Sequence, residues 1–127
     1  MSREIKFRAW DKENKKMMKV SSLSLENKEI AVRENGTYHF FRMKNLELMQ
    51  YTGIKDKNDK EIYEGDILFF RDENTKYVVV WQDAAFIIKS IEIRKYSEEM
   101  CWLDDTEICC EIVGNIYENK NLLEENK

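Results

Sequence analysis

Apolar and polar residues alternate with period two along most of this chain, the pattern of strands that bury one face. In Glu4–Trp10, Ile5, Phe7 and Ala9 fall on one side and Lys6, Arg8 and Trp10 on the other. The polar run Asp11–Lys16 predicts a turn and Met17–Val20 a returning strand, closing a hairpin. Alternation resumes in Glu29–Arg33 through Ile30 and Val32. Asn35-Gly36 accepts positive φ at both positions and predicts a tight turn into Thr37–Arg42, where Tyr38, Phe40 and Phe41 supply aromatic surface.

Further along, Leu48–Gly53 reads as a strand and Lys55–Lys60 as a loop, before Glu61–Phe70 turns sharply at Gly65 into an apolar run. Tyr77–Trp81 and Phe86–Ile93 predict the strongest hairpin, turning over Gln82–Ala84, with Ile87, Ile91 and Ile93 on one face. In Arg94–Glu107, Tyr96, Met100 and Leu103 stand at helical spacing behind Ser97, a candidate N-cap, which predicts one or two helical turns. Ile108–Tyr117 returns to strand, with a bend or bulge expected at Gly114-Asn115, and Asn121–Asn126 adds a terminal helical turn. The expected fold is mainly β with little helix: a small bent barrel packed with N-terminal antiparallel β-hairpins. Residues 1–45 would form the hairpin subdomain and 46–127 the barrel and a short C-terminal tail, the two together allowing one compact unit.

A length of 127 residues fits one domain or two very small ones. The net charge of −4 is too small for a mimic of DNA and of the wrong sign for a protein that coats nucleic acid by bulk charge. Divided along the chain it is less bland. Residues 1–50 hold 11 Lys+Arg and 7 Asp+Glu, a balance of +4, whereas residues 51–127 hold 10 and 18, a balance of −8. Proline is absent, which excludes proline-rich spacers and ligands. The charged N-terminus lacks the apolar run of a signal peptide, and no stretch has a membrane-spanning length, so no membrane partner is expected. Cys101, Cys109 and Cys110 read as reduced thiols in an apolar role.

Three separated segments carry a family resemblance. Arg3–Asp11, the run from Leu48-Met49-Gln50-Tyr51-Thr52-Gly53-Ile54-Lys55-Asp56 through Glu61-Ile62-Tyr63-Glu64-Gly65-Asp66-Ile67, and Glu111–Asn119 with Leu122-Leu123 together resemble the YopX family of phage and prophage proteins. Within them Tyr51, Gly53, Tyr63, Glu64, Gly65, Asp66, Gly114 and Asn115 form the family motif, with no role attached. Two positions depart from the family pattern: Asp59 stands where a glycine is usual, and Lys120-Asn121 where a proline is usual. The first puts a positive φ on a residue that tolerates it less well. The resemblance implies a largely β protein with an SH3-like barrel in its C-terminal part, working in the host bacterial cytoplasm, with no established activity.

Candidate chemistry is sparse. Cys101, Cys109, Cys110 and His39 include no C-x-x-C knuckle, so no metal site is expected. Asp56–Glu61 lacks the ligand spacing of a calcium loop. Glu61, Glu64 and Asp66 could pair as acid and base only in a pocket that nothing in the sequence requires, and Asp66 has a simpler use in bonding the turn at Gly65. Nucleophile and phosphate-loop signatures are missing, so neither an enzyme nor a cofactor is expected. Two readings remain. The leading one is a non-enzymatic phage accessory protein that binds a host or phage protein or associates as a homo-oligomer. The alternative is a weak nucleic-acid binder using Lys6, Arg8, Trp10, Lys12, Lys15 and Lys16 on the first hairpin, with Arg3 and Lys19 nearby. The exposed or core placement of Leu46, Leu48, Met49, Phe69, Phe70, Trp81, Phe86 and Trp102 bears on the first: most belong in a core, and some could line a self-association surface.

Overall fold

Strand pairing accounts for almost all of the regular structure, as the alternation predicts. The structure, a computed structural model, describes residues 4–82, 84–91, 100–102 and 110–124. The chain folds as two compact units, Met1–Tyr51 and Thr52–Lys127.

The first unit is an antiparallel sheet built from β1 (Phe7–Asp11), β2 (Lys16–Ser24), β3 (Glu29–Glu34), β4 (Thr37–Arg42) and the first half of β5 (Leu46–Lys55), in the order β4-β3-β2-β1-β5. Asn35 and Gly36 hold φ of 52° and 80°, so the predicted two-residue turn closes β3 onto β4, with Glu34 opposite Thr37. Ser24 Oγ accepts the Asn27 N–H in the turn between β2 and β3. The β2 strand is longer than Met17–Val20: a register shift between Val20 and Ser22 interrupts the alternation and hides its second half from a period-two reading. Ala9, Met18, Ile30, Val32 and Leu46 form the core of this unit, with Phe41 and Leu48 packed against it.

The second unit begins within β5, followed by β6 (Glu61–Tyr63). Its sheet has the order β10-β9-β8-β7-β11, from β7 (Asp66–Phe70), β8 (Thr75–Gln82), β9 (Ala85–Ser90), β10 (Met100–Trp102) and β11 (Cys110–Asn115), all antiparallel. Ile62, Leu68, Tyr77, Val79, Ile88 and Cys110 make its core, and Phe70 meets Tyr77 edge to face at 5.2 Å. The predicted bulge at Gly114 is present as a register shift after Ile112. The terminal turn is α1 (Lys120–Glu124).

Two expectations change. Strand β9 ends at Ser90 rather than Ile93, so Ile91 does not extend its buried face. Met100 lies in β10, opposite Lys89, rather than in a helical turn. An open strand edge supplies backbone partners that a short isolated helix cannot match. The remainder of the predicted helical stretch, 94–99 and 103–107, lies outside the described residues, as do residues 92 and 93.

One buried carboxylate ties the loop after β5 to the far edge of the second sheet. Asp56 Oδ1 accepts the N–H groups of Asn58 and Lys60, and Oδ2 accepts that of Ile112 at 2.9 Å. Asp59 completes the turn at a φ of 65°, so an aspartate holds the left-handed position where the family has glycine. Burial pushes the Asp56 pKa up, but the three N–H donors and the Lys60 ammonium pull it down further, leaving it below the usual carboxylate value. Its contribution to stability is therefore whole above the unfolded-chain value and is lost as pH falls from there through the depressed folded value. Asp56→Ala is expected to cost about 3 kcal/mol in urea unfolding at pH 7, and the difference from wild type should shrink as titrations are repeated below pH 4.

Candidate interaction surface

Three groups of residues compete for a functional role: the basic hairpin, the motif residues and the aromatic strand β4. The strand pairing, the buried polar contacts and the exposed surface place each of them.

Three lysines of the first hairpin and its lead-in lie beside acids. Lys12 Nζ lies 3.0 Å from Glu47, Lys16 Nζ 2.7 Å from Glu34 and Lys6 Nζ 3.3 Å from Glu4. Lys6 also stands 5.6 Å from the Tyr51 ring centroid. Lys15 occupies the exposed turn at a φ of 52°. Asp11 holds that turn by accepting the Glu13 and Asn14 N–H groups. The Asn14 side-chain amide, which also donates to Asp11, and these N–H donors lower the Asp11 pKa against the opposing effect of burial. Lys6 and Lys19 flank an apolar groove of about 280 Å³ between Ile5, Phe7, Val20 and Leu23. Arg3 lies outside the described residues.

Trp10 departs from its expected place. It shares a face with Arg8 by alternation, but it is only 9% exposed, and Met49 and Tyr51 are buried too. The reading of Trp10 as an outward stacking platform assumed that β1 buries one face. In the folded sheet β1 instead has buried positions on both faces, Ala9 on one and Trp10 on the other. A base has no ring to stack on there.

The motif residues are used in folding the chain. Tyr51 is buried, and its N–H donates to the Lys6 carbonyl. Gly53 sits within β5 at a φ of 88°. Asp66, 1% exposed, accepts the Tyr63 N–H at 2.7 Å, clamping the turn that contains Glu64 and Gly65. Gly65 holds a φ of 90° there, donates its N–H to the Val79 carbonyl and accepts from Ile116. The Tyr63 hydroxyl reaches Glu61 at 3.4 Å. Asn115 Oδ1 accepts the N–H groups of Tyr117 and Glu118, its amide donates to Glu118, and its own N–H donates to Asn119 Oδ1. Among the described residues no group of three or more His, Cys, Asp and Glu could hold a metal ion, and no helix is long and apolar enough to cross a membrane.

Strand β4 is different in kind. It ends the strand order of its sheet, and Tyr38 and Phe40 on it are 51% and 65% exposed. Arg33, opposite Tyr38 on β3, places its guanidinium 5.7 Å from that ring. A two-residue turn makes its flanking residues a hydrogen-bonded pair, so Thr37, His39 and Phe41 spend their backbone groups on β3. The Met43 N–H donating to the Lys28 carbonyl continues the same parity. The backbone groups of Tyr38, Phe40 and Arg42 therefore point to the open edge. Sequence reading finds these aromatics but not their exposure, because the strand order that makes β4 an edge leaves no local signal. Trp81, expected mostly in the core, is half exposed and packs edge to face on Phe86 at 4.7 Å.

The model of the family described as YopX protein matches residues 6–124. The chain belongs to the YopX family. Its fold is similar to the crystal structure of protein EF1440 from Enterococcus faecalis, with a TM-score of 0.67 at 26% identity, over 96% of this chain and 99% of that one. No curated protein matches. The motif positions of this YopX chain can thus be read as turn, clamp and bulge. At the bulge, a Cβ on Gly114 would stand 2.6 Å from Asn119 Oδ1. Gly114→Ala is expected to cost about 2 kcal/mol by displacing the Asn119 side chain, and clearly less in an Asn119→Ala background; thermal melts of the double-mutant cycle measure the coupling.

Proposed function

We propose that this YopX chain is a non-enzymatic protein-interaction module of a phage or prophage, acting in the cytoplasm of its bacterial host through the open edge and aromatic face of β4. The observation that carries the reading is the exposure of Tyr38 and Phe40 on a terminal strand whose outward backbone groups suit an added strand. Strand addition draws affinity from the main chain and specificity from alternate side chains. The engagement of Asp66 and Asn115 in turns supports a structural use for the motif rather than a catalytic one. The ion pairs of Lys6, Lys12 and Lys16 weigh against a phosphate track along the first hairpin.

The finer architecture of the second unit reads as a small SH3-like barrel. Lys57 N–H donates to the Cys110 carbonyl and Ile112 to Asp56, contacts that bring the segment following β5 against β11 and would close the sheet on itself.

A photoreactive phenylalanine in place of Phe40, with the same group in place of the exposed Leu25 as control, tests the proposed surface in bacteria that carry the phage. Protein adducts are expected from position 40 and not from position 25. Absence of adducts at 40, together with nucleic-acid retention that falls steeply with salt and is lost on Lys6→Ala with Arg8→Ala, would overturn it.

A further inference from the structure

We infer that the occupant of the β4 edge is a second copy of this chain, paired β4 to β4 in antiparallel fashion about a two-fold axis through Phe40. The inference rests on the reading of β4 as the interaction surface and names its partner.

The edge lacks the devices that keep strands apart. Monomeric sheet proteins blunt an edge with proline, lysine, a bulge or an inward charge. Thr37–Arg42 has no proline, lysine or bulge and carries its one arginine only at its C-terminal end, and its register against β3 is unbroken from Glu29↔Arg42 to Glu34↔Thr37. Its outward N–H and C=O groups recur at Tyr38, Phe40 and Arg42, which also carry the side chains of the exposed face. A two-fold axis perpendicular to the sheet keeps each face on its own side, so it must pass through a residue position rather than between two. Centred on Phe40, the pairing sets Phe40 against Phe40 of the other copy as a hydrogen-bonded pair, and Tyr38 against Arg42 on both sides of it.

Chemistry selects this register. Arg42 is the arginine of β4, and here it meets an aromatic ring, repeating the contact that Arg33 already makes with Tyr38. Centring on His39 would set two imidazoles face to face and leave Arg42 opposite Gly36. Centring on Arg42 would oppose two guanidiniums, which is unfavourable. With Phe40 at the centre no like charges oppose one another, the outward backbone groups of both strands are matched, and exposed aromatic surface on each copy is covered by the other. The contact is isologous and closes, so it consumes the open edge instead of propagating it.

Sedimentation velocity of the intact chain at about 100 µM, well above a micromolar Kd, is expected to show a dimer. Phe40→Pro deletes an N–H that faces the partner and not β3, and an edge strand accepts proline at such a position. It should weaken the dimer about 100-fold while circular dichroism and the melting curve stay those of the wild-type fold. Phe40→Glu and Phe40→Lys should each be monomeric, and their equimolar mixture should recover a dimer, an outcome that only a self-paired position 40 produces. A monomeric wild type, or a dimer that survives Phe40→Pro in a folded protein, would overturn the inference. If the wild type is monomeric while position 40 still cross-links to a different protein, self-pairing fails and the interaction surface stands. If the wild type is monomeric and position 40 yields no adduct while nucleic acid is retained through Lys6 and Arg8, both fail.

Discussion

The fold depends on acceptors for the backbone N–H groups that its strand ladders drop at corners. Within a strand each group finds its partner on the neighbour. Where β6 passes to β7, where β5 leaves its sheet and where β11 enters α1, the ladder stops and N–H groups are left without strand partners. Asp66 takes that of Tyr63, Asp56 those of Asn58, Lys60 and Ile112, and Asn115 those of Tyr117 and Glu118. A buried donor without a partner costs about 1–3 kcal/mol. An apolar neighbour such as Ile62 or Val79 can be exchanged for another hydrophobe of similar volume at smaller cost. The polar corners, more than the hydrophobic core, are therefore what this sequence is least free to change.

That constraint gives the motif residues a use in folding the chain. A glutamate and an aspartate on either side of a glycine, followed by an apolar strand, have the residue types of an acid–base pair. Asp66, however, is 1% exposed and already bonded across its own turn, while Gly65 supplies the φ that lets the turn close. Gly114 is fixed by a different need: its missing Cβ is the space into which the Asn119 side chain reaches to bond Asn115. Turn closure and close approach are both short-range geometry. Each gives a motif residue a place in the turns of this chain.

Much of this is readable from residue order. Alternation locates the strands, Asn35-Gly36 locates the β3–β4 turn, and the place of Asp66 beside Gly65 points to its use in the turn, because each of these signals spans only a few residues. What escapes has its cause elsewhere in the chain. The bond from Asp56 to Ile112 joins residues 56 apart in sequence. Trp10 is buried on the face of β1 opposite Ala9, which its own neighbours in sequence do not announce. The bulge in β2 breaks the period that would have revealed the strand's length, and Met100 joins a strand because β9 offers an edge.

The exposure of β4 belongs to this second class, and the charge distribution gives it meaning. The first fifty residues carry 11 Lys and Arg, enough to place a lysine on any strand. Lys16, Lys19 and Lys28 lie on or beside β2 and β3, and Lys12 and Lys16 pair with glutamates that bridge neighbouring segments. Such exposed pairs add little stability, about 0–1 kcal/mol each, and they partly neutralise the basic field of the first fifty residues. On β4 itself lysine is absent and the outward positions are Tyr38, Phe40 and Arg42. That the basic first half of the chain leaves lysine off its terminal strand, where lysine would most cheaply prevent sheet extension, supports the proposed pairing of β4.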